Sequence, residues 1–161
     1  MKARYSKEID RLYLQMYPKL FEYARCSLSN DAQAEEAVQD TFIIACQKPE
    51  ALCDCPSPEG WLFNTLKNVI SNTIRSQNIA RRILLDYFAS NAKDISISDD
   101  RVGLEILYDD VADSEEFKLL KEMALDGKSY LEMAQTRGIS VATCRKRMQR
   151  AKEILRKKIA L

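Results

Sequence analysis

The stretch Ser129-Tyr130-Leu131-Glu132-Met133-Ala134-Gln135-Thr136-Arg137-Gly138-Ile139-Ser140-Val141-Ala142-Thr143-Cys144-Arg145-Lys146-Arg147-Met148-Gln149-Arg150-Ala151 spells a helix, a turn and a second helix. Ser129 with Glu132 forms a capping box, in which each side chain takes the other residue's free backbone N–H. Gly138 supplies the left-handed position that ends this short helix, and Gly127 does the same for the preceding one, which carries Phe117, Leu120, Ala124 and Leu125. Ser140 caps the last helix. Met133, Ala134, Ile139, Val141, Cys144 and Met148 are spaced to pack the two helices at a steep angle.

In the last helix the apolar stripe is Val141, Cys144, Met148, Ala151 and Leu155. At 100° per residue the opposing face is Ala142, Thr143, Lys146, Gln149 and Arg150, flanked by Arg145 and Arg147. Side chains for base edges near the helix start, with flanking cations for phosphates, are what a DNA recognition helix needs. An ordinary amphipathic helix with solubilising lysines is the plainer reading, but it accounts for neither the capping box nor the glycine turn.

The 25 basic and 24 acidic residues nearly cancel, yet they are not mixed. From Arg137 to Lys158 the only acid is Glu153, whereas between Asp86 and Glu116 the only bases are Lys93 and Arg101. Such asymmetry points to a polyanionic partner for the basic end and a solvated acidic connector before it, unless both are merely wet surface.

Upstream, every strongly patterned segment has helical period, and none alternates as a strand would. Ile9, Leu12, Tyr13, Met16, Tyr17, Leu20, Phe21 and Ala24 make one stripe, with a kink or break expected at Pro18. A second helix is capped from Ser29-Asn30-Asp31 and carries Ala34, Ala37, Val38, Thr41, Phe42 and Ala45 on its inner face. Its outer face holds Glu35, Glu36, Gln39, Asp40 and Ile43. Residues 47 to 58 read as a proline-closed loop, with Ser57 as N-cap and Pro58 at the first position of a third helix. That helix repeats Trp61, Leu62, Thr65, Leu66, Val69, Ile70, Thr73 and Ile74, opposite Asn64, Lys67, Asn68, Ser71 and Arg75. Arg81 and Arg82 follow. The fold class is therefore all-α, a compact helical domain to about residue 85 followed by a second small one. The acidic stretch between them has a short helix expected around Leu104 to Tyr108.

Composition removes several activities. There is no histidine, so Ser-His-Asp and Cys-His nucleophiles and His-ligated zinc are excluded. With only four glycines, neither GxGxxG nor GxxxxGK[ST] can be written, and an ATP-dependent or dinucleotide enzyme is not expected. The five scattered cysteines suit reduced thiols, and no apolar run approaches the roughly 20 residues of a membrane span. The charged N-terminus lacks a signal-peptide pattern, so a cytoplasmic location is expected.

Four phrases, in order, carry a family resemblance. Leu12-Tyr13 with Tyr17-Pro18-Lys19-Leu20-Phe21-Glu22-Tyr23-Ala24 is one. Asp31-Ala32-Gln33-Ala34-Glu35-Glu36-Ala37-Val38-Gln39-Asp40-Thr41-Phe42 is the second. Trp61-Leu62-Phe63 with Asn68, Asn72 and Arg75 is the third, and the helix-turn-helix is the fourth. From about Leu12 to Ile159 the chain resembles an RNA polymerase sigma factor of the sigma-70 family, in its two-domain extracytoplasmic-function (ECF) group. The resemblance implies sigma region 2 over residues 1–85, an acidic linker over 86–112 and sigma region 4 over 113–161.

It implies roles as well. Glu36, Gln39, Asp40 and Ile43 would dock on a basic coiled coil of the largest subunit of core RNA polymerase, with Phe42 supporting them from beneath; the polymerase flap is a further expected contact. Asn68, with loop residues 50 to 58, would hold a base flipped from the promoter's minus-ten element, while Lys67, Arg75, Arg81 and Arg82 neutralise strand phosphates. Thr143, Lys146, Gln149 and Arg150 would read the minus-thirty-five element, with Arg145 and Arg147 on its backbone. The linker would lie in the polymerase's positively charged RNA exit path, and an anti-sigma partner is a family expectation. No catalytic residue, metal, cofactor or small-molecule substrate is implied.

The sequence departs from the family at Ala142 and Cys144, where glycine and valine are usual, and Cys53-Asp54-Cys55 lies in the loop that should select the minus-ten base. Two rival readings stay open on the residues alone. One is a two-domain helix-turn-helix regulator that binds an operator without polymerase. The other is a thiol or zinc enzyme built on Cys53 and Cys55 with Cys26 or Cys46.

Overall fold

The computed structural model describes residues 2–28, 30–91 and 114–160. Among them are seven helices and no strand: α1 (Lys2–Ser27), α2 (Asp31–Gln47), α3 (Pro49–Cys53), α4 (Pro58–Asn91), α5 (Glu115–Ala124), α6 (Tyr130–Arg137) and α7 (Val141–Ala160). Their contacts divide the chain into two units, Met1–Ile74 and Arg75–Leu161. Among the described residues no helix is long and apolar enough to cross a membrane.

In the first unit, α1 buries Ile9, Leu12, Met16, Leu20 and Ala24, a stripe with one spacing of three followed by spacings of four. It meets Ala34, Ala37, Val38, Phe42 and Ala45 of α2, Leu52 of α3, and Leu62, Leu66 and Ile70 of α4 in one apolar core. Each fully buried Leu or Met there contributes about 1.5–3 kcal/mol. Of the kink or break expected at Pro18, the break does not occur, since α1 runs through it. A proline inside a helix costs about 3 kcal/mol. Buried residues on both sides of Pro18 offset that cost, and both Pro18 and Leu14, whose carbonyl loses its N–H partner, lie on the exposed side. Asn30 caps α2, its side-chain oxygen accepting the Ala32 N–H at 2.8 Å. Ser29 lies outside the described residues.

The stretch read as a loop contains the short helix α3, opened by Pro49 and fixed by fully buried Leu52. The start of α4 follows the sequence: Ser57 Oγ accepts the Gly60 N–H at 3.2 Å and Pro58 takes the first helical position.

The second unit includes more of α4 than its pattern suggested. Ala80, Ile83, Leu84 and Tyr87 join Phe117, Leu119, Leu120, Met123 and Ala124 of α5, Met133 and Ala134 of α6, and Cys144, Met148, Ala151 and Leu155 of α7. Residues 86–91 are thus helix, not linker, because Tyr87 and Phe88 find Phe117, with ring centroids 6.3 and 6.0 Å away. The division between units falls at Ile74, well before residue 85. The remaining linker positions, with the helix expected around Leu104 to Tyr108, lie outside the described residues.

The helix-turn-helix is held at each punctuation mark. Ser114 caps α5 by accepting the Phe117 N–H at 3.3 Å. Ser129 Oγ accepts the Glu132 N–H at 3.1 Å while Glu132 accepts the Ser129 N–H at 2.9 Å, completing the capping box. Gly127 and Gly138 sit at φ 65° and 63°, the left-handed region that a side chain would strain. Ser140 caps α7, accepting the Thr143 N–H at 3.1 Å.

Candidate polymerase and DNA interfaces

Three helix faces carry the residues of interest. On α2, burial of Ala34, Ala37, Val38, Thr41 and Phe42 turns Glu35, Gln39 and Ile43 fully outward, with Glu36 and Asp40 half-buried beside them. Ile43 is 53% exposed amid these acids. An exposed apolar side chain on a face that also carries carboxylates suits a protein surface bearing cations better than it suits water. Phe42 is a core residue, edge-on to Tyr13 at 4.8 Å, so it backs the face without being part of it.

On α4, Leu62 and Leu66 are fully buried and Ile70 nearly so, which leaves Asn64, Lys67, Asn68, Ser71 and Arg75 exposed opposite them. The adjoining loop is tied down from within. Tyr5 donates its hydroxyl to Asp54 at 3.3 Å, and Cys55 Sγ donates to the Leu52 carbonyl at 3.0 Å. Burial, then the carboxylates of Glu8 and Asp54, pushes the Cys53 thiol pKa up. A reactive cysteine needs the opposite shift. All five cysteines are free, and among the described residues no group of three or more Cys, Asp and Glu side chains is placed to hold a metal ion.

Arg75, Arg81 and Arg82 all fall in the second unit, on the continuation of α4, and all three are exposed. The Arg81 guanidinium reaches the Ala124 carbonyl at 3.5 Å, at the end of α5. Arg82 lines a shallow cavity of about 280 Å³ with Ile79, Ile83, Asp86, Arg156 and Ile159.

On α7 the two faces separate cleanly. Cys144, Met148, Ala151 and Leu155 are at most 1% exposed. Ala142, Thr143, Arg145, Lys146, Arg147, Gln149 and Arg150 are all exposed. One cation counted with this basic end is withdrawn from it. Arg137 donates to both carboxylate oxygens of Glu122, at 3.0 and 3.1 Å, and to Glu115 at 3.4 Å. The Glu122 hydrogen bonds raise the Arg137 pKa further, and this half-buried pair pins the end of α6 to α5. A second contact lay beyond any local pattern: the Arg145 guanidinium sits over the Tyr130 ring, 5.4 Å from its centre. Neither partner pair is close in sequence, so only the folded chain brings Glu122 to Arg137, or Tyr130 to Arg145.

Comparison with known proteins gives two matches, the first running a few residues past the division at Ile74. Sigma-70 region 2 matches residues 12–79, and Sigma-70 region 4 matches residues 115–155. The chain belongs to the sigma-70 family of RNA polymerase sigma factors. Its kinship within that family is with the ECF group: it is 29% identical over 153 residues to the ECF RNA polymerase sigma factor SigL of Mycobacterium tuberculosis, in strains H37Rv and CDC 1551 alike, covering 90% of this chain and 85% of SigL. A chain from the RsbN-BldN complex aligns at 16% identity with a TM-score of 0.41, covering 97% of this chain and 94% of that one. This ECF sigma factor is a transcription initiation factor, a binder of core RNA polymerase and promoter DNA. Its helix-turn-helix is α6 and α7, within the region 4 match.

Proposed function

We propose that the three faces divide the work of initiation between them. Glu36, Gln39, Asp40 and Ile43 dock on a cationic coiled coil of the polymerase largest subunit, and region 4 meets the flap. Asn68, Lys67 and Arg75, with loop residues 50 to 58, capture a base and phosphates of the minus-ten strand as it separates. Taking a base out of the stack costs a few kcal/mol, which amide hydrogen bonds, stacking and phosphate contacts must offset. Thr143, Lys146, Gln149 and Arg150 read the minus-thirty-five duplex while Arg145 and Arg147 hold its backbone. Arg81 and Arg82, exposed further along α4, neutralise phosphates of the same strand. The factor itself makes and breaks no bond, and works in the cytoplasm. An anti-sigma protein that covers these faces would be its regulator.

The observation that carries this reading is the division of α7 into a buried stripe and an exposed face of cations and polar groups, opened by a capped N-terminus. Promoter duplex shifted in a gel only when core polymerase accompanies the factor is the expected result; equally tight binding by the factor alone would favour an operator-binding regulator. Asp40→Lys should abolish association with core polymerase while the helical circular dichroism signal stays unchanged. Association at full strength would dismiss α2 as the docking helix.

A further inference from the structure

The first turn of α7 shows what kind of base edge it suits. Val141 is half-buried and Cys144 fully buried, so Ala142 and Thr143 are the exposed side chains of that turn. Ala142 offers only a methyl group. Thr143 could offer a hydroxyl or a methyl, but its hydroxyl is engaged: Thr143 Oγ1 lies 2.8 Å from Ser140 Oγ, the atom that also accepts the Thr143 N–H at 3.1 Å. The oxygen is turned back along the helix onto the cap. That contact takes up part of the hydroxyl's hydrogen-bonding capacity and holds the oxygen toward the cap, whereas the Cγ2 methyl has no hydrogen bond to satisfy. In the major groove each base pair shows donors and acceptors, but thymine alone adds a methyl group. Recognition helices approach base edges with their N-terminal residues.

We infer that Ala142 and Thr143 form an apolar contact selecting thymine in the minus-thirty-five element, with Thr143 acting through its methyl group and Ser140 as the residue that positions it. The inference rests on α7 being the duplex-reading helix. Lys146 and Arg150, further along the exposed face, remain the charged readers.

The test uses the full-length factor with core polymerase. A promoter library randomised over the minus-thirty-five element is selected for holoenzyme binding, and each thymine of the recovered duplex is then replaced by deoxyuridine, which removes only the C5 methyl. Occupancy should fall about threefold to fivefold at one or two positions, the value of one buried methyl group. Thr143→Ser keeps the hydroxyl and loses the methyl, so it should lose sensitivity at one of those positions. Thr143→Val keeps methyl groups and loses the hydroxyl, so it should retain that sensitivity. The reverse pattern, sensitivity kept by serine and lost by valine, would overturn the assignment, as would a selected element without thymine or one indifferent to deoxyuridine. Lys146→Ala and Arg150→Ala are read on the same library. If they leave the selected sequence unchanged, the reading of α7 itself fails; if they shift it while deoxyuridine has no effect, only the methyl contact is wrong.

Discussion

The exposed faces of α4 and α7 are both assigned to nucleic acid, yet they are chemically unlike. Between Asn64 and Arg75 the α4 face spaces two cations among amides and a hydroxyl. The α7 face packs Arg145, Lys146, Arg147 and Arg150 into little more than a turn, with Arg156, Lys157 and Lys158 exposed beyond them. A dense cationic face suits the duplex, whose phosphates are close together and whose counterions are released on binding. Amides suit an unstacked base, which needs hydrogen-bond partners along its edge more than charge. The supports differ as well. α4 starts on the single cap Ser57, while α6 and α7 are pinned by a capping box, a glycine turn, the Arg137–Glu122 pair and the Ser140 cap. A face that must fit a groove needs rigid backing.

Rigid backing can be removed from beneath α7. Met148 is fully buried among α5, α6 and α7. Met148→Ala should lower stability by about 2–5 kcal/mol, as large-to-small core changes do. Urea denaturation measures it, and a loss under about 1 kcal/mol would mean that the recognition face is not seated on a close-packed core.

The contrast in chemistry is tested next. Lys146→Ala or Arg150→Ala should cost about 1–3 kcal/mol at one promoter position. Arg147→Ala should instead weaken holoenzyme binding evenly across promoter sequences and reduce the salt slope by about 1. On α4, Asn68→Ala should reduce the open complex, followed by permanganate reactivity of unpaired thymines, without changing the salt slope of closed-complex binding. A changed slope there would make the two faces alike in kind.

Much of this architecture was legible locally. Ser129 with Glu132, Gly138, Ser140, and Ser57 with Pro58 each act within a few residues, so their sequence pattern and their structure say the same thing. The inner and outer faces of α2, of the first part of α4 and of α7 follow from a period of 3.6 alone. What could not be read depended on distant partners. Pro18 breaks an isolated helix, but α1 continues through it on a core whose other walls lie in α2, α3 and α4. Tyr87 looked like the edge of a linker until Phe117 supplied its neighbour. Arg137 looked like one more cation of a DNA-binding end, and only the fold brings it to Glu122 and Glu115.

A smaller effect concerns how Arg145, proposed to hold the duplex backbone, is presented. Arg145 lies over the Tyr130 ring, an attraction worth about 0.5–1 kcal/mol at an exposed site. Tyr130→Leu should therefore weaken promoter binding by no more than about that amount, while Tyr130→Phe, which keeps the ring face, should not. Equal losses in both variants would assign the role to the tyrosine hydroxyl.

The smallest effect separates Lys152 from the other cations of α7. It is half-buried, and its pKa is lowered, first by burial and then by the nearby charge of Arg156. The folded state thus holds this proton less tightly than the unfolded chain does. Between the lowered folded value and the ordinary lysine value, unfolding takes up a proton, so stability rises with pH across that window. Lys152→Met keeps the length of the side chain and removes the charge. It should raise the denaturation midpoint slightly at pH 7 and flatten the rise as pH climbs toward the ordinary lysine value, with no change in promoter salt slope. A drop of about 1 in that slope would put Lys152 among the phosphate contacts, and the basic face would then extend around the helix toward the core.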